Sequence, residues 1–430
     1  MYINPFLYQL CWVFLFPFVR FFLYFRLGQR KEDKLRLNER FGRGYKLPRP
    51  KGKLVWLHAV SLGESNAALN LVEHLKNLRP NWHFLITTNT ITSAENIEKN
   101  RSKMQVIHAF QPLDHSTWVS NFLNYWEPDC ALFLESDFWF NLITQTKKRQ
   151  IPIIFASSQI SKSAKLKWEK NPLLAKQLFS SPSLILAIDN EQKKRFEQLA
   201  NIVKCNDGPE FLNFGSLKNS PLMNLPKSPY ELALRNYAKV TKRKIILAAS
   251  THENEEVLIA NAVSKIASSE KFLLIFAPRH LNRAEEIINR LGSMPRRSKG
   301  ELPSSKHRYF LSDSMGEMRC LYNVADIIVL GGSFFKSGGH NPIEPALAGK
   351  AIICGKSIFK NKSDYSLLIK TGMIHQVKSN QTLRRTLEDT LKPNNRMEKA
   401  LMKGQKIAQE ACMRPAKAAH YIISTIEQKP

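Results

Sequence analysis

In this 430-residue chain, acids and bases gather where apolar runs end. Residues 54–58 lead into His58, Ser61, Gly63 and Glu64, with Ser61 and Glu64 at the spacing of a capping box. Residues 130–134 end in Glu135, Ser136 and Asp137, two places before Trp139. Residues 276–280 read FAPRH, so Arg279 and His280 leave an apolar run together. Lys218 closely follows Gly215 at the start of a proline-rich stretch. A carboxylate at a helix start can take a proton from a hydroxyl or bind a sugar. An arginine at a strand end can clamp phosphate. Each residue also has a structural alternative. The capping spacing recurs at Ser250 and Glu253, Ser314 and Glu317, and Asn341 and Glu344, so each Glu can simply close a helix start. Glu135 and Asp137 can be solvated loop acids, and Arg279 and Lys218 solvated charges.

Residues 329–355 are the segment around which the rest is arranged. An apolar run ends in Gly331-Gly332, and a second pair, Gly338-Gly339, follows. Asn341 as N-cap, Pro342 at the first helical position and Glu344 at the third then spell a helix start. A further apolar run, residues 351–354, completes a β-α-β unit. Paired glycines let backbone N–H groups approach a ligand, and a helix start favours an anion. Phosphate or nucleotide binding is one reading, and a tight turn without ligand the other.

Other chemistries lack their signatures. The eleven histidines include no HExxH pair, and no Cys/His spacing suits zinc, so no metal site is expected. His58, His280 and His340 read as hydrogen-bonded structural histidines. There is neither a GxxxxGK[ST] phosphate loop nor a GxSxG elbow.

These residues need a scaffold of parallel strands. Strands are predicted at 54–58, 83–87, 106–110, 130–134, 151–156, 184–188 and 211–214, with helical patterns between them. Residues 216–229 carry three prolines and no periodicity, which marks a linker. The alternation resumes at 245–248, 272–277, 308–311, 327–330 and 351–354, with helices expected from Glu253, Arg283 and Gly316, and 398–427 reads as one closing helix. Residues 292–307 read as a basic surface loop. The fold class is α/β, with two Rossmann-like doubly wound domains facing a cleft. The expected bounds are 1–30 for a membrane anchor, 31–215 and 230–430 for the domains, and 216–229 for the linker.

Residues 5–25 are almost wholly apolar and aromatic, long enough for a single span, though Gln9, Pro17 and Arg20 weaken it. The alternative is an anchor lying in one leaflet, with Arg20 snorkelling. No basic residue precedes the run, which disfavours a cleaved signal peptide. Arg26, Arg30, Lys31, Lys34, Arg36 and Arg40 follow it, so the positive-inside rule puts the rest of the chain in the cytoplasm. The formal net charge of +28 argues for anionic partners such as a membrane surface, nucleic acid or a phosphorylated substrate. Six scattered cysteines without a CxxC pair, among them Cys205, read as thiols of a reducing compartment.

The runs HAVSLGES, ESDFWFNLI, IPIIFASSQIS, FGSLK, AASTHENEE, APRH, MGE and GGSFFKSGGHNPIEPALAG occur in that order. Together they resemble the 3-deoxy-D-manno-octulosonic acid (Kdo) transferases of lipopolysaccharide synthesis, over nearly the whole chain. The resemblance implies a GT-B fold, with acceptor on the N-terminal domain and nucleotide on the C-terminal one. It implies transfer of Kdo from CMP-Kdo to a lipid A precursor, lipid IVA, at the cell inner membrane, with the catalytic domains on the cytoplasmic side and membrane lipid as a further partner. Glu64 would be the proton acceptor, with Glu135 and Lys218 stabilising the transition state. CMP would contact Pro278, Arg279, Met315, Gly316, Glu317, Asn341, Pro342, Ile343 and Glu344. No cofactor, metal or nucleic acid enters this scheme, because an Arg and a helix start can hold the leaving phosphate. A phosphorylated acceptor in an anionic membrane accounts for the basic surface, each Lys or Arg near it contributing about 1 kcal/mol.

The chain departs from the family pattern at Ser157-Ser158-Gln159, where Asn-Ala-Arg is usual, and at Asp137 and Phe140, where Glu and Pro are common. These changes bear on acceptor binding. Two rival functions are a GT-B glycosyltransferase or epimerase using a UDP-sugar, and a non-enzymatic, membrane-attached anion-binding protein.

Overall fold

A computed structural model of the chain describes residues 5–202, 208–219, 228–267, 269–392 and 395–427. Cys205 and most of the expected linker, residues 220–227, lie outside them. The chain forms two compact units, Met1–Ser220 with Cys412–Pro430, and Pro221–Ala411.

Seven strands build the sheet of the first unit: β1 (Leu54–His58), β2 (His83–Thr88), β3 (Val106–Phe110), β4 (Cys130–Leu134), β5 (Ile153–Ser158), β6 (Leu184–Ala187) and β7 (Glu210–Asn213). Six build the other: β8 (Lys244–Thr251), β9 (Phe272–Pro278), β10 (Tyr309–Leu311), β11 (Ile327–Leu330), β12 (Ala351–Cys354) and β13 (Ile374–Gln376). The orders are β3-β2-β1-β4-β5-β6-β7 and β10-β9-β8-β11-β12-β13. All pairings are parallel. Strands covered on both faces read as unbroken apolar runs, and every residue of β1, β4, β11 and β12 is buried. In each sheet the strand order reverses once, between β1 and β4 and between β8 and β11. Doubly wound sheets bind ligands in the crevice beyond the strand ends at such a reversal.

The helix Leu62–Leu78 shows how sequence sets packing. Ser61 caps its start, and Ala67, Ala68, Leu71, Val72 and Leu75 recur at helical spacing and are buried. Ala68, Leu71, Val72 and Leu75 pack with Ala418, Ala419, Ile422, Ile423 and Ile426 of the last helix, Arg414–Glu427. Here the sequence expectation fails. The single closing helix is two, Asn395–Cys412 and Arg414–Glu427, and the second belongs to the first unit, so the second domain does not run to residue 430. Pro415 explains the break: it cannot continue an incoming helix, but it fits the first turn of a new one.

Further elements escaped the sequence reading, among them the helices Lys362–Thr371 and Asn380–Thr390. A 3-10 helix, Lys34–Phe41, follows the anchor, the helix Pro229–Thr241 starts at a Ser228 cap inside the expected linker, and β13 adds an edge. The basic stretch 292–307 is partly tied down, with Arg296 on Asp313 and Arg297 on Glu317.

The N-terminal helix, Pro5–Gly28, is long and apolar enough to cross a membrane. One side touches the first unit. Tyr8 Oη donates to Asp114 at 2.7 Å, Gln9 pairs with Asn141, Trp12 meets Trp118 edge-on, and Leu23 is buried with Phe41 and Trp118. Phe6, Phe14, Phe18, Phe21, Phe22 and Phe25 remain exposed.

Candidate active site

In the first unit, β1 and β4 deliver the catalytic candidates to the strand-order reversal. Glu64 stands in the first turn after β1. Its Oε2 accepts from Val60 N at 2.7 Å and its Oε1 from Ser61 Oγ at 3.0 Å, while Ser61 Oγ accepts from Glu64 N at 3.4 Å. The cap is therefore real, although the return bond reaches Val60 rather than the Ser61 amide. It does not consume the carboxylate. Burial first, and then the charge of Glu135, lift the Glu64 carboxyl above its ordinary value, against the Val60 and Ser61 hydrogen bonds and His58. A carboxylate raised in this way is a better proton acceptor near neutral pH.

Glu135 follows β4 in left-handed backbone, φ 61°, and Ser157, at the end of β5, has φ 55°. Non-glycine residues held there store strain, and such strain clusters at functional sites. Glu135 forms an ion pair with Lys218 and accepts from Gln159 Nε2 at 3.3 Å. Ser157 Oγ accepts from Leu217 N at 3.2 Å, which docks the 215–219 segment on β5. Lys218 thereby reaches the first turn of the Glu64 helix, and a Cβ placed on Gly63 would stand 3.6 Å from Lys218 Cε. Glu64, Glu135 and Lys218 thus converge, as the sequence predicts. Gln159 belongs with them.

Asp137 does something else. It takes hydrogen bonds from His58 Nε2 and Trp139 Nε1, both at 2.8 Å, and His58 Nδ1 meets Thr87 Oγ1 at 2.9 Å. Trp56 Nε1 donates to that same hydroxyl at 2.8 Å; in the neutral ring, Nε2 carries the proton toward the Asp137 carboxylate and Nδ1 accepts from Thr87. Burial pushes the Asp137 carboxyl up, but His58 and Trp139 outweigh it and hold it below its ordinary value. Asp137 is a braced carboxylate rather than a solvated loop acid, and His58 is structural, as expected.

In the second unit the candidates lie on loops after β8, β9, β10 and β11. Arg279 follows Pro278 at the end of β9, its N–H bonded to Thr251 O at 3.0 Å and its side chain exposed. Surrounding protein lifts the Glu344 carboxyl, and Arg279 opposes that shift. Met315 is exposed, Gly316 has φ 83°, and Glu317 is held by Arg297 at 2.7 Å and by Ser314. The helix start at 341–344 differs from expectation. The helix is Ile343–Leu347, its capping position is Pro342, and Asn341 Oδ1 accepts from Ile343 N at 3.0 Å in a turn outside it.

The other two expected capping boxes are absent as well. The helix after β8 begins at Glu255 behind Asn254, and that after β10 begins at Met318 behind Glu317. Glu255 is the residue the sequence reading missed. Fully buried, it accepts from His252 N at 2.9 Å, Gly332 N at 2.8 Å and Phe334 N at 3.1 Å, tying the loop after β8 to that after β11. A Cβ on Gly331 would fall 2.7 Å from its Oε2, so glycine is required there for close approach. The neighbouring Glu256 takes Thr251 Oγ1 and Arg283, both at 2.7 Å. Among the described residues, no group of three or more His, Cys, Asp or Glu could hold a metal ion.

Residues 35–206 match the family model of 3-deoxy-D-manno-octulosonic-acid transferase (kdotransferase). The chain is 30% identical to 3-deoxy-D-manno-octulosonic acid transferase of Haemophilus influenzae, over 87% of this chain and 88% of that one. It is 32% identical to the probable mitochondrial 3-deoxy-D-manno-octulosonic acid transferase of Arabidopsis thaliana, over 79% and 76%. Among solved structures, a glycosyltransferase from Rickettsia africae superposes with a TM-score of 0.60 at 14% identity, covering 89% of this chain and all of the other, which supports the fold alone. The folds, the ordered motifs and an identity that runs through both units all agree: this chain belongs to the 3-deoxy-D-manno-octulosonic acid transferase family of glycosyltransferases.

Proposed function

We propose that the protein transfers Kdo from CMP-Kdo to a hydroxyl of a lipid A precursor, lipid IVA, releasing CMP, in the inner-core pathway of lipopolysaccharide. The first unit, within residues 31–215, is the acceptor domain, and the second, from residue 230, holds the nucleotide sugar. The observation that carries this is Glu64, a carboxylate lifted by burial and by Glu135 at the strand-order reversal of the first unit. Glu64 takes the proton of the acceptor hydroxyl as its oxygen attacks the anomeric carbon. The bond from that carbon to the phosphate oxygen breaks, and CMP leaves with the electron pair. Such proton acceptance contributes roughly 100-fold or more. Glu135 favours the positive charge that develops on the sugar, and Lys218, paired with Glu135, shares in stabilising the transition state.

CMP is assigned to Pro278, Arg279, Met315, Gly316, Glu317, Asn341, Pro342, Ile343 and Glu344. Arg279 neutralises the departing phosphate, and no metal or other cofactor is called upon. The Arg297–Glu317 pair leaves the Glu317 backbone, rather than its occupied carboxylate, for the nucleotide. For the inner membrane we favour attachment along one leaflet, with the catalytic units in the cytoplasm. In support, contacts from Tyr8 to Leu23 seat one side of the N-terminal helix on the first unit and leave a phenylalanine face for lipid.

Incubation of the full chain with CMP-Kdo and tetraacyl lipid A precursor, with products weighed by mass spectrometry, tests this. A mass gain of one or more Kdo residues with CMP release is expected. No gain with CMP-Kdo, but turnover of a UDP-sugar, would overturn it.

A further inference from the structure

Where the order of the second sheet reverses, two histidines meet. His252 follows β8 and His340 follows β11; their Nε2 atoms stand 2.9 Å apart, and their rings stack at 5.1 Å and 16°. His280, from the loop after β9, meets His252 edge-on at 5.7 Å. Space for the pair is built into the backbone: a Cβ on Gly332 would fall 2.8 Å from His340 Cδ2 and 3.4 Å from His252 Cδ2. The backbone that carries each ring is fixed from behind. Glu255 holds the His252 amide, and Tyr365 Oη donates to His340 O at 2.9 Å.

A hydrogen bond between two Nε2 atoms holds a single proton. One ring must donate and the other accept, so two neutral rings must be opposite tautomers. The cations acting on them are Arg279 beyond β9, Arg283 in the following turn and Lys360 in the turn Phe359–Asn361, with the His280 ring beside His252. Glu255 is the nearby carboxylate, and its oxygens are engaged by three backbone N–H groups. Burial first, and then these cations, hold both imidazoles below their ordinary value, His340 at about 4. The empty pair is therefore neutral at pH 7, in a cationic surround at the crevice where doubly wound sheets take ligands. Paired, uncharged histidines among cations are costly to protonate until an anion offsets the charge.

We infer that His252 and His340 form a seat for the phosphate of CMP and take up a proton as that dianion arrives. This rests on the donor assignment above and extends it to two residues outside the expected nucleotide contacts. The sign follows from linkage. An adjacent dianion raises the imidazole pKa, so binding draws in protons and tightens as pH falls from 8 toward 7.

Calorimetric titration of the detergent-solubilised full chain with CMP, at pH 7.5 in buffers of different ionisation enthalpy, reads the proton directly. Uptake of up to about one proton per CMP is expected in the wild type. His340→Gln keeps an amide near the Nε2 position but cannot titrate; it should abolish uptake and weaken CMP about tenfold, the scale of one charge-assisted hydrogen bond. Cytidine, without phosphate, should show no uptake in either protein. CMP binding without proton exchange in the wild type would overturn the inference while leaving the donor assignment standing, whether or not the variant folds. Loss of CMP binding on chelation, restored by zinc, would make the pair a metal seat and overturn it too. Binding of UDP but not CMP would overturn both.

Discussion

The two units share a strand order and differ in what they place at its reversal. The first gathers carboxylates: Glu64 and Glu135, with Lys218 the cation beside them. The second gathers Arg279, Arg283 and Lys360 around His252 and His340, and its buried carboxylates, Glu255 and Glu256, are spent on backbone N–H groups, Thr251 and Arg283. The first crevice is thus rich in carboxylate and the second in cation, which suits the proposed proton acceptor and the proposed phosphate seat respectively. The strain follows the same division of labour. The first unit holds Glu135 and Ser157 in left-handed backbone to aim side chains, whereas the second combines left-handed Ser250 and Asn254 with glycine pairs that bring backbone close. A single scaffold thus yields opposite electrostatics through the residues that follow its central strands.

Substitutions that affect one unit alone test this division. Glu64→Gln should lower transfer by about 100- to 10,000-fold while leaving CMP affinity unchanged; a wild-type rate in the purified variant would reduce Glu64 to a helix cap. Ile422→Ala, in the core shared with the helix Leu62–Leu78, should cost the first unit about 2–5 kcal/mol in chemical denaturation. Equal destabilisation of both units would contradict the assignment of the last helix to the first. Arg279→Ala should weaken CMP by about 1.5–3 kcal/mol, measured as a dissociation constant, without shifting the pH profile of transfer. The smallest effect is expected for Lys218→Met. Removing that cation leaves Glu135 uncompensated and drives the Glu64 carboxyl further up, so the acid limb of kcat/KM against pH should move to higher pH. A shift to lower pH would show that Glu135 does not act on Glu64.

Much of this was legible in the sequence. β1, β4, β11 and β12 fall at the predicted positions because strands buried on both faces read as nearly unbroken apolar runs. Glu64, Glu135 and Arg279 were found because polar residues directly after such runs stand out. Helix starts read less well. Serine and glutamate three apart suggested four capping boxes, yet only Ser61 caps as expected, since the same spacing serves a turn before the helix as easily as its first turn. Glu255 was missed because nothing local separates it from Glu253 and Glu256; its partners, Gly332 and Phe334, lie far along the chain. The break at Met413 was missed although Pro415 marks it, and the side on which the following helix packs depends on tertiary contact alone.

The last helix also sets the order in which the protein can mature on the ribosome. Leu71, Val72 and Leu75 emerge early, while Ala418, Ala419, Ile422, Ile423 and Ile426, which cover them, are made only after the second unit. At roughly 5–20 residues per second, the nascent first unit waits tens of seconds with that flank uncovered, while all of the second unit is synthesised. The unit begun second can therefore finish first, and a chain interrupted before Arg414 lacks the residues that cover its earliest-made half.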